Sequence, residues 1–192
     1  MAAPTLARSQ AEAALLDAAE RLLVQHGHAG ITTRRLAAEA GVNHGLVHYY
    51  FGSLENLLLR VLERFTDVMI ARQRELYAAD VPFLDKWRTA MRYLEADRDY
   101  QKIWCELQAL AWNRPEVREP VARVNEAWRS VLTEAFAEPH RRYGIEMPLD
   151  ALVSLVITFN EGVILERLSG VTSGHAELLD WIDSWLAAKK ES

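Results

Sequence analysis

His44 and His48 stand four residues apart in the segment "TTRRLAAEAGVNHGLVHYYFGS", Thr32 to Ser53, where Asn43, Tyr49, Tyr50 and Phe51 crowd polar and aromatic side chains together. The i, i+4 histidine spacing is that of a metal pair, but no third ligand lies nearby in sequence, so a zinc site is not expected. The alternative chemistry is hydrogen bonding to nucleic acid. Asn43, His44 and His48 can donate or accept at base edges, and the Tyr49 hydroxyl or an imidazole can bond a phosphate. Leu46 can meet a thymine methyl, and Gly45 lets the backbone approach closely. Thr33 and Arg34 lie at the start of a helix, where amides and side chains can hold phosphate.

Such side chains read DNA only from a rigid frame. A helix-turn-helix needs a small residue where its helices cross, a sharp turn between them and apolar anchors in the second helix. Ala37, Gly41, and Val42 with Val47 supply these. Thr32 is a good N-cap for the first of the two helices, which stops at Gly41. A very short helix follows from about His44 to Tyr50, in which Tyr50 and Phe51 are expected to bury and orient it. Ser53 then caps a long helix running toward Tyr77.

The rest of the chain is also helical in pattern, and no stretch shows the alternation of a strand. The fold class is therefore all-α: a three-helix N-terminal domain, residues 1–53, and a helical bundle, residues 54–192. "FLDKWRTAMRYLEA" and "YQKIWCELQALAWN" read as helices. The next begins at Pro115 or Pro120 and is expected to break at Pro139, leaving "HRRYGIEMP" as a loop. "LDALVSLVITFNEGVILERL" and "AELLDWIDSWLAAKK" are the last two.

Composition narrows the function. The chain has 192 residues and a net charge of -5, yet residues 1–64 are neutral, six arginines balancing six carboxylates. The whole acidic excess lies beyond, which suggests two parts with different partners. Cys105 is the only cysteine, so neither a disulfide framework nor a Cys-rich zinc site is expected, and a reducing compartment is the simplest setting. Acidic residues interrupt the N-terminal apolar periodicity as they would not in a secretory leader, and no apolar run is long enough to span a bilayer. A cytoplasmic protein without membrane contact is expected. Neither a Gly-rich phosphate loop nor a nucleophile elbow nor a metal-ligand cluster is found, so neither an enzyme nor a cofactor is expected.

The stretch "ITTRRLAAEAGVNHGLVHYYFGSLENLLLRVLERF" resembles the N-terminal domain of TetR/AcrR-family transcriptional regulators, at Thr32, Ala37, Ala40, Gly41, Val42, Gly45, Tyr50, Phe51, Glu55 and Leu57. The likeness covers about residues 10–65; beyond them it is one of helix pattern. It implies DNA contacts from Thr33, Asn43, His44, Gly45, Leu46, His48 and Tyr49. Two positions depart from the family's pattern. His48 replaces the usual tyrosine, with Tyr49 beside it, and Leu54 stands where lysine is common, leaving Ser53 and the helix N-terminus to meet phosphate there.

A lone helix-turn-helix reads few base pairs, so a homodimer on a palindromic operator is expected. Its interface is expected on the last two helices, at Leu152, Val156, Val163, Ile164, Leu178, Trp181 and Trp185. The alternative is that these residues form one wide core face within a monomer. Trp87, Met91, Trp104, Leu107, Trp112 and Trp128, with Asn160, are either core or the lining of a mostly apolar cavity for a small apolar or aromatic effector. In the family such a ligand moves the fourth helix and alters the spacing of the recognition helices. The expected function is a ligand-released repressor of operator DNA; the competing one is a helical protein-interaction module without sequence-specific DNA binding.

Overall fold

Apolar residues recurring every three to four positions become helices nearly throughout. The computed structural model describes residues 3–190, and among them are nine α-helices and one 3-10 turn. They are α1 (Ala3–His26), the 3-10 turn (His28–Gly30), α2 (Thr33–Ala40), α3 (Gly45–Phe51), α4 (Leu54–Ala78), α5 (Phe83–Ala96), α6 (Arg98–Asn113), α7 (Pro115–Arg142), α8 (Leu149–Leu168) and α9 (His175–Lys190). Among the described residues no helix is long and apolar enough to cross a membrane.

The helix α7 corrects the sequence reading. It begins at Pro115 and runs through both Pro120 and Pro139 to Arg142. Proline removes only its own N–H from the ladder, and Pro139 sits in the closing turns, where one bond is lost. Its carbonyl still accepts from the Tyr143 amide at 2.9 Å, so the helix continues past it.

Two compact units form, one from the chain up to Asp67 with Asp99–Arg123, the other from Val68–Arg98 with Val124 onward. The sequence boundary after Ser53 separates the reading head by motif, whereas packing takes the first half of α4 and most of α6 into the same unit as the head. The reason is burial: Leu57, Leu58, Val61 and Leu62 of α4 and Ile103 and Leu107 of α6 are almost wholly inaccessible. Arg64 of α4 bonds both Asp17 (2.7 Å) and Glu20 of α1.

In the second unit Leu84, Trp87, Tyr143 and Leu186 make one buried cluster, and Leu132, Phe136 and Val153 another. Arg88 of α5 grips Asp183 of α9 through two hydrogen bonds, 2.6 and 2.8 Å. Those bonds hold the Asp183 carboxyl below its ordinary range.

Candidate nucleic-acid interface

The frame begins at Thr32, whose extended backbone lets its hydroxyl accept from the Arg35 amide at 3.2 Å, closing the first turn of α2. Leu36 and Ala37 are buried, and α2 packs on α1 through that face. Gly41 ends the helix at φ +68°, with its amide bonded back to Ala37 and Ala38. A Cβ there would meet nothing within 4 Å, so the left-handed backbone itself, not lack of space, asks for glycine. The Val42 amide then bonds the Ala37 carbonyl at 3.0 Å, fixing the angle at which α3 leaves.

The short helix α3 buries Val47 and Phe51 and turns the opposite side outward. Asn43, His44, Gly45, His48 and Tyr49 are exposed, Leu46 and Tyr50 half-buried. Tyr49 is 65 % exposed, and its ring meets Tyr50 edge-on at 5.1 Å. The sequence range His44–Tyr50 shifts by one residue because Asn43 Oδ1 accepts from the Gly45 amide at 2.8 Å and starts the helix there.

Two predicted readers therefore also serve the frame. Asn43 spends its carbonyl oxygen on the Gly45 amide, leaving its amide donors for a base. His48 Nδ1–H donates to the Gly52 carbonyl at 2.9 Å, leaving Nε2 as its outward group. Ser53 likewise accepts from the Asn56 amide at 3.1 Å and keeps its hydroxyl proton to offer. His44 makes no such side-chain bond among the described residues.

Thr33 and Arg34 occupy the first turn of α2, the former half-buried, the latter exposed and without a carboxylate partner among the described residues. Arg35 differs, because its guanidinium donates to the Gly30 carbonyl at 3.1 Å and braces the turn. Leu54, half-buried, opens α4.

One structural residue left no trace in the sequence pattern. Glu106 on α6 accepts from the His28 amide at 3.2 Å, and its other oxygen lies 2.7 Å from where a Gly27 Cβ would be. Gly27, at φ +65°, therefore satisfies both the turn after α1 and a close approach from α6. A separation of 78 residues hides this bond from any local motif. Glu106→Ala is expected to lower stability by about 1 kcal/mol, the worth of one exposed charged hydrogen bond, read from urea unfolding. An unchanged unfolding midpoint would show that water replaces the carboxylate.

The residues predicted for a ligand cavity are not brought into one unit. Trp104 and Leu107 are buried in the first, and Trp112, in the last turn of α6, is 76 % exposed. It falls about 100° round the helix from Ala111, which closes the buried face of Ile103, Trp104 and Leu107. In the second unit Trp87 belongs to the Leu84 cluster with Met91 packed on it, while Trp128 and Asn160 are half-buried. Asn160 Oδ1 is buried without a partner among the described residues.

The residues predicted for dimer contact divide in a similar way. Val163 and Ile164 are buried, Leu152 and Val156 pack against Leu132, Phe136 and Val153, and Trp185 packs against the Leu84 cluster. Leu178 and Trp181 are exposed, as are Leu155 and Leu165, which sequence reasoning did not single out.

Comparison with known proteins gives this geometry its context. Residues 15–61 match the family model described as bacterial regulatory proteins, tetR family. The HTH-type transcriptional repressor AcnR of Corynebacterium glutamicum is 26 % identical over 188 residues, 94 % of this chain and 92 % of the relative. A crystal structure of a TetR-family transcriptional regulator from Rhodococcus sp. aligns at TM-score 0.74 and 25 % identity, covering 92 % of this chain and 98 % of that one. The regulator FadR from Bacillus subtilis, solved in complex with stearoyl-CoA, shares the fold at TM-score 0.72 and 15 % identity over 90 % of this chain and 96 % of its own. The family match falls on the helices that frame the exposed face of α3, and the similarity continues through those that follow, so the chain belongs to the TetR family of bacterial transcriptional regulators.

Proposed function

We propose that the protein is a cytoplasmic, non-enzymatic repressor that binds a palindromic operator as a homodimer and leaves it when a small molecule binds. The observation that carries the DNA half is α3 itself. A helix of seven residues buries Val47 and Phe51 yet exposes His48 and Tyr49, with His44 exposed at its N-cap. Large polar and aromatic side chains held outward on an anchored helix are what a major-groove reader requires. Arg34 and the amides opening α2 and α4 supply phosphate contacts beside it. The small-molecule half is supported by the complex known for FadR, which has the same fold. An effector releases DNA only as far as it favours the DNA-incompetent dimer, about 1.4 kcal/mol for each tenfold of differential affinity.

For the dimer, α8 and α9 carry the supporting features. Leu155, Thr158, Gly162 and Leu165 follow one another at helical spacing along an exposed side of α8, and Leu178 and Trp181 are exposed on α9. A Cβ on Gly162 would meet nothing within 4 Å, leaving room for a second helix to approach. A two-fold interface built from these helices gives each dimer two reading heads, one for each half-site of a palindrome whose half-sites lie about 34 Å, or a multiple, apart.

The start of α4 offers a test of orientation. Leu54→Lys is expected to steepen the fall of log affinity with log salt by about one counterion unit, because a new cation there would neutralise one phosphate. An unchanged slope would place Leu54 away from the DNA backbone.

A further inference from the structure

A groove of about 570 Å³ in the second unit lies among the last turns of α4, the loop after it, the first turn of α5 and the second half of α7. Its apolar part is aromatic. Tyr77 and Phe83 line it and stack with centroids 6.4 Å apart, and both meet the buried Phe136 edge-on at 6.1 and 5.5 Å. Burial raises the Tyr77 hydroxyl well above its ordinary range, so it stays a neutral donor. That hydroxyl has no hydrogen-bond partner among the described residues.

Three cations from three different elements border the same groove: Arg74 of α4, Lys86 of α5 and Arg142 of α7. None has a carboxylate partner among the described residues, whereas Arg72, Arg88 and Arg167 of this unit pair with Asp97, Asp183 and Glu95. Lys86 is instead held by the Tyr77 carbonyl at 2.7 Å. The two acids of the lining, Glu134 and Glu138, lie on α7, and Glu134 already accepts from Ser130. Cations thus outnumber acids around an aromatic recess in a chain of net charge -5.

We propose that this groove binds an amphipathic monoanion, a carboxylate attached to an aromatic or aliphatic body. Tyr77 and Phe83 cover the apolar body, Arg74 and Arg142 pair with the carboxylate, and the Tyr77 hydroxyl is available as a further donor. None of the seven residues singled out from sequence lines this groove. The sequence favoured an uncharged ligand because the tryptophans are conspicuous in it, while Arg74, Lys86 and Arg142 come together only in the fold. As the effector site the groove rests on the regulator reading; as a binding site it stands apart from it.

Calorimetric titration of the full chain with 2-naphthoate and with its neutral counterpart 2-naphthamide tests the proposal. Naphthoate is expected to bind about tenfold more tightly than the amide, the difference made by charge-assisted bonds. Arg74→Gln with Arg142→Gln removes that preference and leaves amide binding unchanged, and both side chains lack partners whose loss would unfold the chain. Ala78→Trp, at the exposed last residue of α4, fills the groove and abolishes binding of both ligands. Absence of naphthoate binding, equal affinity for the two ligands, or a preference that survives in the double variant overturns the proposal. Naphthoate binding as described with no operator binding would sink the regulator reading and keep the groove. Operator binding without naphthoate binding would do the reverse.

Discussion

Replacing His44 and Tyr49 together by alanine is expected to weaken operator binding by about 2–4 kcal/mol, with helicity and oligomeric state unchanged. Both side chains are exposed on or beside α3, whereas Asn43 and His48 bond the backbone at the two ends of the helix. Their loss is therefore felt at the DNA rather than in the fold. Asn43→Ala gives a contrast, because it also removes the acceptor of the Gly45 amide and is expected to cost about 1 kcal/mol of stability. Fluorescence anisotropy with a labelled operator, alongside circular dichroism, separates the two effects. Retained affinity in the His44/Tyr49 variant would move the recognition face away from α3.

The second large effect is expected from Leu165→Glu with Trp181→Glu. These side chains are 60 % and 65 % exposed, so charging them barely disturbs the subunit that carries them. In a two-fold interface each substitution is made twice, and four buried carboxylates without partners are expected to split the dimer. Operator affinity should then fall by at least about a hundredfold, since each head is left with a single half-site. Val163→Ala is expected instead to lower unfolding stability by about 1–2 kcal/mol without changing the oligomer, because Val163 is buried within its own subunit. Light scattering reads the difference, and a dimer that survives the double change places the interface elsewhere.

The head was legible because its signals are local. Thr32 as N-cap, Gly41 as the left-handed stop and the buried Val47 and Phe51 act within one or two turns of helix, while Val42 and Tyr50, expected to anchor beside them, are half-buried. What local pattern hid was double duty. Nothing in the sequence shows that His48 bonds the Gly52 carbonyl or that Glu106 reaches the His28 amide. On α8 apolar residues occur all round the helix, so periodicity marks it as a packing element without saying which side stays with its own subunit. Val163 and Ile164 turned inward, while Leu155 and Leu165 stayed out. The tryptophans are a related case. Size and apolar character make Trp112 resemble Trp104, yet one lies beside the buried stripe of α6 and the other within it. Pro139 reads as a break because a proline's cost is judged by its neighbours in sequence, whereas its place in the closing turns of α7 makes that cost bearable.

The most direct test of DNA recognition by α3 is an anisotropy titration of the protein with DNA from upstream of its own gene, at stepped salt and with one half-site scrambled. Log affinity is expected to fall linearly with log salt, with two protomers bound to each intact palindrome and specific binding lost when a half-site is scrambled. Binding indifferent to salt and to the palindrome, or none to any genomic fragment, would contradict it and leave a helical protein-interaction module in its place.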